Sequence, residues 1–173
     1  MDPQTTEKRS TGGRLAPPTL QTERRALVLG LGNELRGDDA VGLRVAMEVQ
    51  RRTGSRRDVE VISTGETGLA LLDFFEGRTD VVIIDAVATG RAAPGTIYRL
   101  DGDALPELRG AAPHALGVGE ILALGWRIGL AMPRRVTLLA VEVADASTIG
   151  AELSPSVRAA LPTLVERVLT ELG

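Results

Sequence analysis

Continuous apolar runs alternate along this chain with stretches whose apolar residues fall at helical spacing. Ala26-Leu27-Val28-Leu29-Gly30 is apolar throughout, the pattern of a strand buried on both faces. A glycine-bearing turn, Gly30-Leu31-Gly32-Asn33, follows it, and then Arg36-Gly37-Asp38-Asp39. Beyond the acidic pair, Val41, Val45 and Val49 recur on one helical stripe to about Arg52, with Leu43 and Met47 widening it. That pattern predicts a first helix with Asp38 as its N-cap.

Val59-Glu60-Val61-Ile62 reads as a second strand. Gly65 and Gly68 lead into an apolar helix containing Leu69, Leu71, Leu72 and Phe75. Val81-Val82-Ile83-Ile84-Asp85 is a third strand, and the Pro94-Gly95 turn signal precedes a fourth, Thr96 to Leu100. Pro113-His114 opens a helix carrying Leu116, Ile121, Leu122 and Leu124, and Arg135 to Val143 supplies a fifth strand. Ser154-Pro155 is an N-cap and first-turn pair for a terminal helix reaching about Leu172, with a kink expected near Pro162. Strands alternating with helices predict an α/β fold: one domain, a mainly parallel five-stranded twisted sheet, and helices on both faces. Residues 1–24 are polar, carry Gly12-Gly13 and Pro17-Pro18, and lack hydrophobic periodicity. They read as a disordered leader ahead of an α/β domain at 25–173.

Composition narrows the function. The length of 173 residues suits one domain, and aromatics at 2% leave the core to Val, Leu, Ile and Ala. A net charge of −3 argues against a nucleic-acid surface. The chain has no cysteine, which excludes a disulfide scaffold, a thiolate zinc site and a cysteine nucleophile. No apolar run approaches the roughly 20 residues that cross a bilayer. Arg24-Arg25 precedes an apolar run, as in a twin-arginine signal, but the run stops at Gly32-Asn33 with no cleavage site after it. A cytoplasmic monomer without membrane association is the expectation.

On a parallel sheet, ligands bind beyond the carboxyl ends of the strands. Gly30-Leu31-Gly32-Asn33-Glu34-Leu35 lacks the third glycine of a dinucleotide fingerprint, and no phosphate-loop Gly-Lys-Ser/Thr occurs. Asp38 and Asp39 either cap the helix and complement its dipole, or one of them turns inward to bind a metal or act as a general base. Asp85 ends a run of apolar residues, so its carboxylate is to be paired, hydrogen-bonded or metal-bound, or else caps the next loop. His114, the single histidine, is either structural or faces the same crevice. Two carboxylates and one imidazole suit a borderline metal such as nickel or zinc with open positions. Neither Gly-x-Ser-x-Gly nor His-Glu-x-x-His is present, so a hydrolase built on this chain would use carboxylates, a metal and water.

Several of these segments together resemble the hydrogenase maturation endopeptidases. Val28-Leu29-Gly30-Leu31-Gly32-Asn33, continuing through Leu35, Gly37-Asp38-Asp39, Val41 and Gly42, is similar to that family's N-terminal signature. Gly65 to Leu72 is similar to its second glycine segment, and Val82-Ile83-Ile84-Asp85-Ala86-Val87 to its aspartate-bearing strand. Pro94-Gly95-Thr96 resembles the turn after that strand, and Pro113-His114-Ala115-Leu116-Gly117 the segment carrying a histidine ligand. The chain departs from the family at Ser63-Thr64, where Asp-Gly is frequent, and after Glu142, where a proline is frequent. The resemblance implies a peptidase that removes the C-terminal extension of a nickel-iron hydrogenase large-subunit precursor after nickel insertion. It implies metal-binding positions at Asp39, Asp85 and His114, catalysis by Asp39 and Asp85 either as carboxylates assisting water attack on a metal-polarised carbonyl or as proton handlers while nickel only positions the tail, and substrate contacts at Gly32, Asn33, Gly65 and Gly68. Nickel would be recognised in the precursor. A non-catalytic nickel chaperone or assembly factor on the same fold is the competing expectation, and a nucleotide-binding regulator a third.

Overall fold

The computed structural model describes residues 25–54, 56–102, 117–150 and 152–173. The leader, the Pro113-His114 segment and Leu116 lie outside the described residues.

The apolar run after Arg25 forms β1, Ala26–Leu31, and every residue of it is buried. β2 is Val59–Thr64, β3 Asp80–Val87, β4 Ile97–Asp101 and β5 Arg135–Glu142. The sheet order is β2-β1-β3-β5-β4. β2, β1, β3 and β5 run parallel, and β4 pairs antiparallel with β5 at one edge. The expected five-stranded, mainly parallel sheet is therefore present.

Side chains alternate across the strands and make two cores. Leu27, Leu29, Leu31, Val81, Ile83, Leu138 and Ala140 face one side. They pack with α2, Leu71–Phe75, and α3, Val118–Arg127. Val28, Val82, Ile84, Leu139 and Val141 face the other side, against α1, Val41–Thr53, and α4, Pro155–Leu172. Complete burial of each such aliphatic side chain contributes roughly 1.5–3 kcal/mol, so the two layers need almost no aromatic residue.

Three local expectations are corrected. Asp38 is not the N-cap of α1: Gly37–Ala40 form a 3-10 turn, α1 follows from Val41, and its N-cap Ala40 has no capping side chain. Met47 does not widen the buried stripe of α1 but is exposed, because a residue two places from Val45 or Val49 lies about 200° round the helix. Leu69 is exposed on a second 3-10 turn, Gly68–Ala70, ahead of the short α2. Ser154 does cap α4, accepting the N–H of Val157, with Pro155 in the first turn. The helix continues across Pro162 to Leu172.

Candidate active site

Chain direction reverses around β1. From β1 the chain passes through α1 on one face to β2, then through α2 on the other face to β3, which flanks β1 on its second side. At their carboxyl ends β1 sends the chain toward β2 on one side of the sheet and β3 sends it toward β4 on the other, and the diverging exits mark the usual ligand position of an open parallel sheet.

Asp39 and Asp85 both lie at this end of these two strands. Gly30 pairs with Ile84 across the β1–β3 ladder, which brings Asp85 level with the end of β1. Asp85 is fully buried, and one of its carboxylate oxygens accepts the N–H of Ala86 at 2.9 Å. By alternation it shares the sheet face of Ile83 and Val87, the side covered by α2 and α3. β3 runs on past it to Val87 instead of ending there.

The turn that carries Asp39 is pressed onto β1 by glycine. A Cβ on Gly32, whose φ is +149°, would lie 2.0 Å from the Asp39 carbonyl oxygen. At Gly42, a Cβ would lie 2.2 Å from the Leu31 carbonyl oxygen and 2.5 Å from that of Ile84. Only hydrogen fits at either place. The start of α1 therefore sits on the backbone of β1 and β3 just before Asp85, and it holds Asp39, 1% exposed, beside them.

The acidic pair divides its work. Asp38 accepts the backbone N–H of Ser154 at 2.6 Å, which ties the 3-10 turn to the start of α4. Asp39 occupies the next position of a three-residue turn and so projects about 120° away from Asp38. Asn33 uses its side-chain oxygen on the N–H of Leu35, while a Cβ on Gly65 would lie a tight 3.3 Å from the Gly32 carbonyl oxygen. Gly68 adopts a left-handed φ of +62° with open space where a Cβ would be. His114 lies outside the described residues, and among the described residues no group of three metal-ligating side chains occurs.

Glu142 is a residue whose part in this region the sequence does not reveal. It ends β5, is 1% exposed, and shares the sheet face of Leu138 and Ala140, hence of Asp85. Its carboxylate accepts Thr89 Oγ1 at 2.6 Å, the Gly90 N–H at 2.7 Å and the Tyr98 hydroxyl at 3.0 Å. Its N–H donates to the Thr96 carbonyl, and its own carbonyl accepts from the Gly95 N–H. Both ends of the connection leaving the Asp85 strand are thus fastened to one residue. Burial pushes the Glu142 carboxyl up, but the hydrogen bonds from Thr89, Gly90 and Tyr98 outweigh it and leave the group below its usual value. The only signal in the sequence is an acid inside an apolar strand, because its partners are 44 to 53 residues away.

Comparison with known proteins bears on what this crevice does. A family model described as HycI, hydrogenase maturation protease, matches residues 43–171, a span that includes Asp85 and His114 and begins shortly after Asp39. The hydrogenase 2 maturation protease of Escherichia coli K12 is 32% identical over 150 residues, which cover 86% of this chain and 90% of that one. The hydrogenase expression/formation protein HupD of Thiocapsa roseopersicina is 30% identical over 157 residues, or 89% of this chain and 70% of its own. Among solved structures, the hydrogenase maturating endopeptidase HybD from E. coli superposes with a TM-score of 0.76 at 32% identity, covering 86% of this chain and 91% of that one. The NiFe-hydrogenase maturation protease HybD from Thermococcus kodakarensis gives 0.65 at 27% identity, with 84% and 97% covered.

Proposed function

The chain belongs to the hydrogenase maturation protease family, and from that premise we propose that Asp39, Asp85 and His114 form the site at which it cleaves a nickel-bearing hydrogenase precursor. It is a peptidase acting in hydrogenase maturation, and its substrate is a hydrogenase large-subunit precursor from which it removes the C-terminal extension. Family membership sets aside the chaperone and nucleotide-regulator readings.

The observation carrying the proposed site is the pair of buried carboxylates, Asp39 and Asp85, on adjacent elements at the β1–β3 reversal. Buried carboxylates are costly unless they are paired, hydrogen-bonded or bound to a cation. Nickel already held in the precursor is part of the substrate, and two carboxylate oxygens with an imidazole nitrogen suit that borderline cation. With the precursor seated, one carboxylate accepts a proton from the attacking water, and the proton is returned to the departing amine. A metal near the scissile carbonyl would add Lewis-acid polarisation. Gly32 and Asn33 line the entry, where the free end of the Asn33 carboxamide can meet the substrate backbone. No helix among the described residues is long and apolar enough to cross a membrane. The reading extends to processing in the cytoplasm by a monomer.

The test is incubation of the protein with nickel-loaded and nickel-free precursor, followed by intact-mass measurement. Loss of the C-terminal extension from the loaded precursor alone is expected. Equal cleavage of the nickel-free precursor at the same bond would overturn nickel recognition.

A further inference from the structure

Three of the six exposed large apolar residues among the described residues, Leu35, Leu69 and Ile149, lie at the carboxyl end of the sheet. Leu35 is 69% exposed in the connection from β1 to α1, four residues before Asp39. Ile149 is 75% exposed in the connection from β5 to α4, and Leu69 is 65% exposed in the one from β2 to α2. In a parallel sheet all three connections leave from the same end as Asp39 and Asp85. The first two are joined, since the Gly150 N–H donates to the Leu35 carbonyl at 2.8 Å.

This ledge is built to hold its shape. Asn33 closes the turn beneath Leu35 by accepting its N–H at 2.9 Å. Asp145 accepts the Ser147 N–H, the Ser147 hydroxyl and the Thr148 hydroxyl, which fixes the segment just before Ile149. Those bonds hold the Asp145 carboxyl down to about 2. Asp38 fastens the same two connections again through Ser154. Glu34 and Ala40 from one connection and Glu152 and Leu153 from the other line a groove of about 340 Å³. Apolar residues held in water beside a polar crevice by such bonds fit a binding rim.

We propose that Leu35 and Ile149, with Leu69 across the crevice, form the docking rim for the folded body of the large-subunit precursor. The proposal rests on the reading of Asp39 and Asp85 as the working carboxylates. The occupant follows from position. A peptidase whose crevice opens between these connections must receive its protein substrate over them. A second copy of this chain seated there would close the crevice to every substrate. The rim therefore acts on the affinity for the precursor and not on the bond-breaking step.

The experiment uses full-length nickel-loaded precursor and the double variant Leu35→Ser/Ile149→Ser. The expected result is a KM raised about tenfold or more, equivalent to about 1.4 kcal/mol, with kcat unchanged. Melting should stay near that of the parent, because both side chains are exposed. Trp126→Ser is the control, another exposed apolar residue, which lines a cleft with Arg134 and Arg135 at the start of β5, the opposite end of the sheet. It should leave KM unchanged. A double variant with parental KM, or one that loses kcat alone, would overturn the rim. So would a parent protein that sediments as a dimer and a double variant that sediments as a monomer, since the ledge then joins copies of this chain. The underlying reading fails differently: Asp39→Asn and Asp85→Asn would then cleave normally, whatever the rim variants do.

Discussion

Asp38 and Ser154 are joined by a 2.6 Å hydrogen bond from the Ser154 backbone to the Asp38 carboxylate, across 116 positions of sequence. The bond fastens the start of α4 to the turn that presents Asp39, so two adjacent aspartates have separate duties. Asp38→Ala leaves a part-buried N–H without its charged acceptor and should cost about 2 kcal/mol. Urea unfolding measures it. Asp39→Asn, by contrast, should keep its stability within a narrow margin while losing processing. An Asp38→Ala protein as stable as the parent would show that the bond contributes nothing.

Gly42 and Gly68 give a paired prediction about glycine. Gly42→Ala drives a methyl against two backbone carbonyl oxygens that cannot step aside, those of Leu31 and Ile84. The variant should lose about 3 kcal/mol or fail to fold. Gly68→Ala meets open space and carries only the strain of its left-handed φ, about 1 kcal/mol. Chemical denaturation of the two variants should separate them clearly, and equal losses would contradict the close approach of α1 to β1 and β3.

The strands and their order of appearance are legible in the sequence because residues buried on both faces must be apolar in unbroken runs, as in Val81 to Ile84. The Ser154-Pro155 helix start is legible because capping is local chemistry. Asp38 misleads for the same reason: an acid before a helix reads as a cap, and only the fold brings Ser154 close enough to claim it. Leu69 and Met47 read as core because apolar residues near a stripe are counted with it, whereas position on the turn decides exposure. In the candidate site, Asp85 stands out as an acid closing an apolar run, although β3 continues to Val87, and Asp39 as an acid in the turn before the first helix. The part played by Glu142 does not, since Thr89, Gly90 and Tyr98 reach it only through the pairing of β3, β4 and β5.

Glu142 also carries a pH signature. Its carboxyl is lowered in the folded protein from the usual 4.5, first against the cost of burial and then by the bonds from Thr89, Gly90 and Tyr98. The folded state therefore binds fewer protons than the unfolded state below that pH. The stabilisation is fully present above about 4.5 and is lost as pH falls through the lowered folded value. Glu142→Gln removes this dependence. Unfolding midpoints followed downward from neutral pH should fall less steeply for the variant than for the parent, with the variant weaker at neutrality. Parallel curves for the two proteins would show that Glu142 is not held as a carboxylate in the fold. Glu142→Gln should also slow processing by loosening the connection beside Asp85.

The most direct test of the account is Asp85→Asn. The change keeps the size of the side chain, and the amide oxygen can still accept the Ala86 N–H, so the variant should fold and melt near the parent. Incubated with nickel-loaded precursor under conditions where the parent completes cleavage, it should leave the precursor at full mass, with the rate down at least about 100-fold. A folded Asp85→Asn protein that releases the C-terminal extension at the parental rate would contradict the assignment of the β1–β3 crevice as the active site.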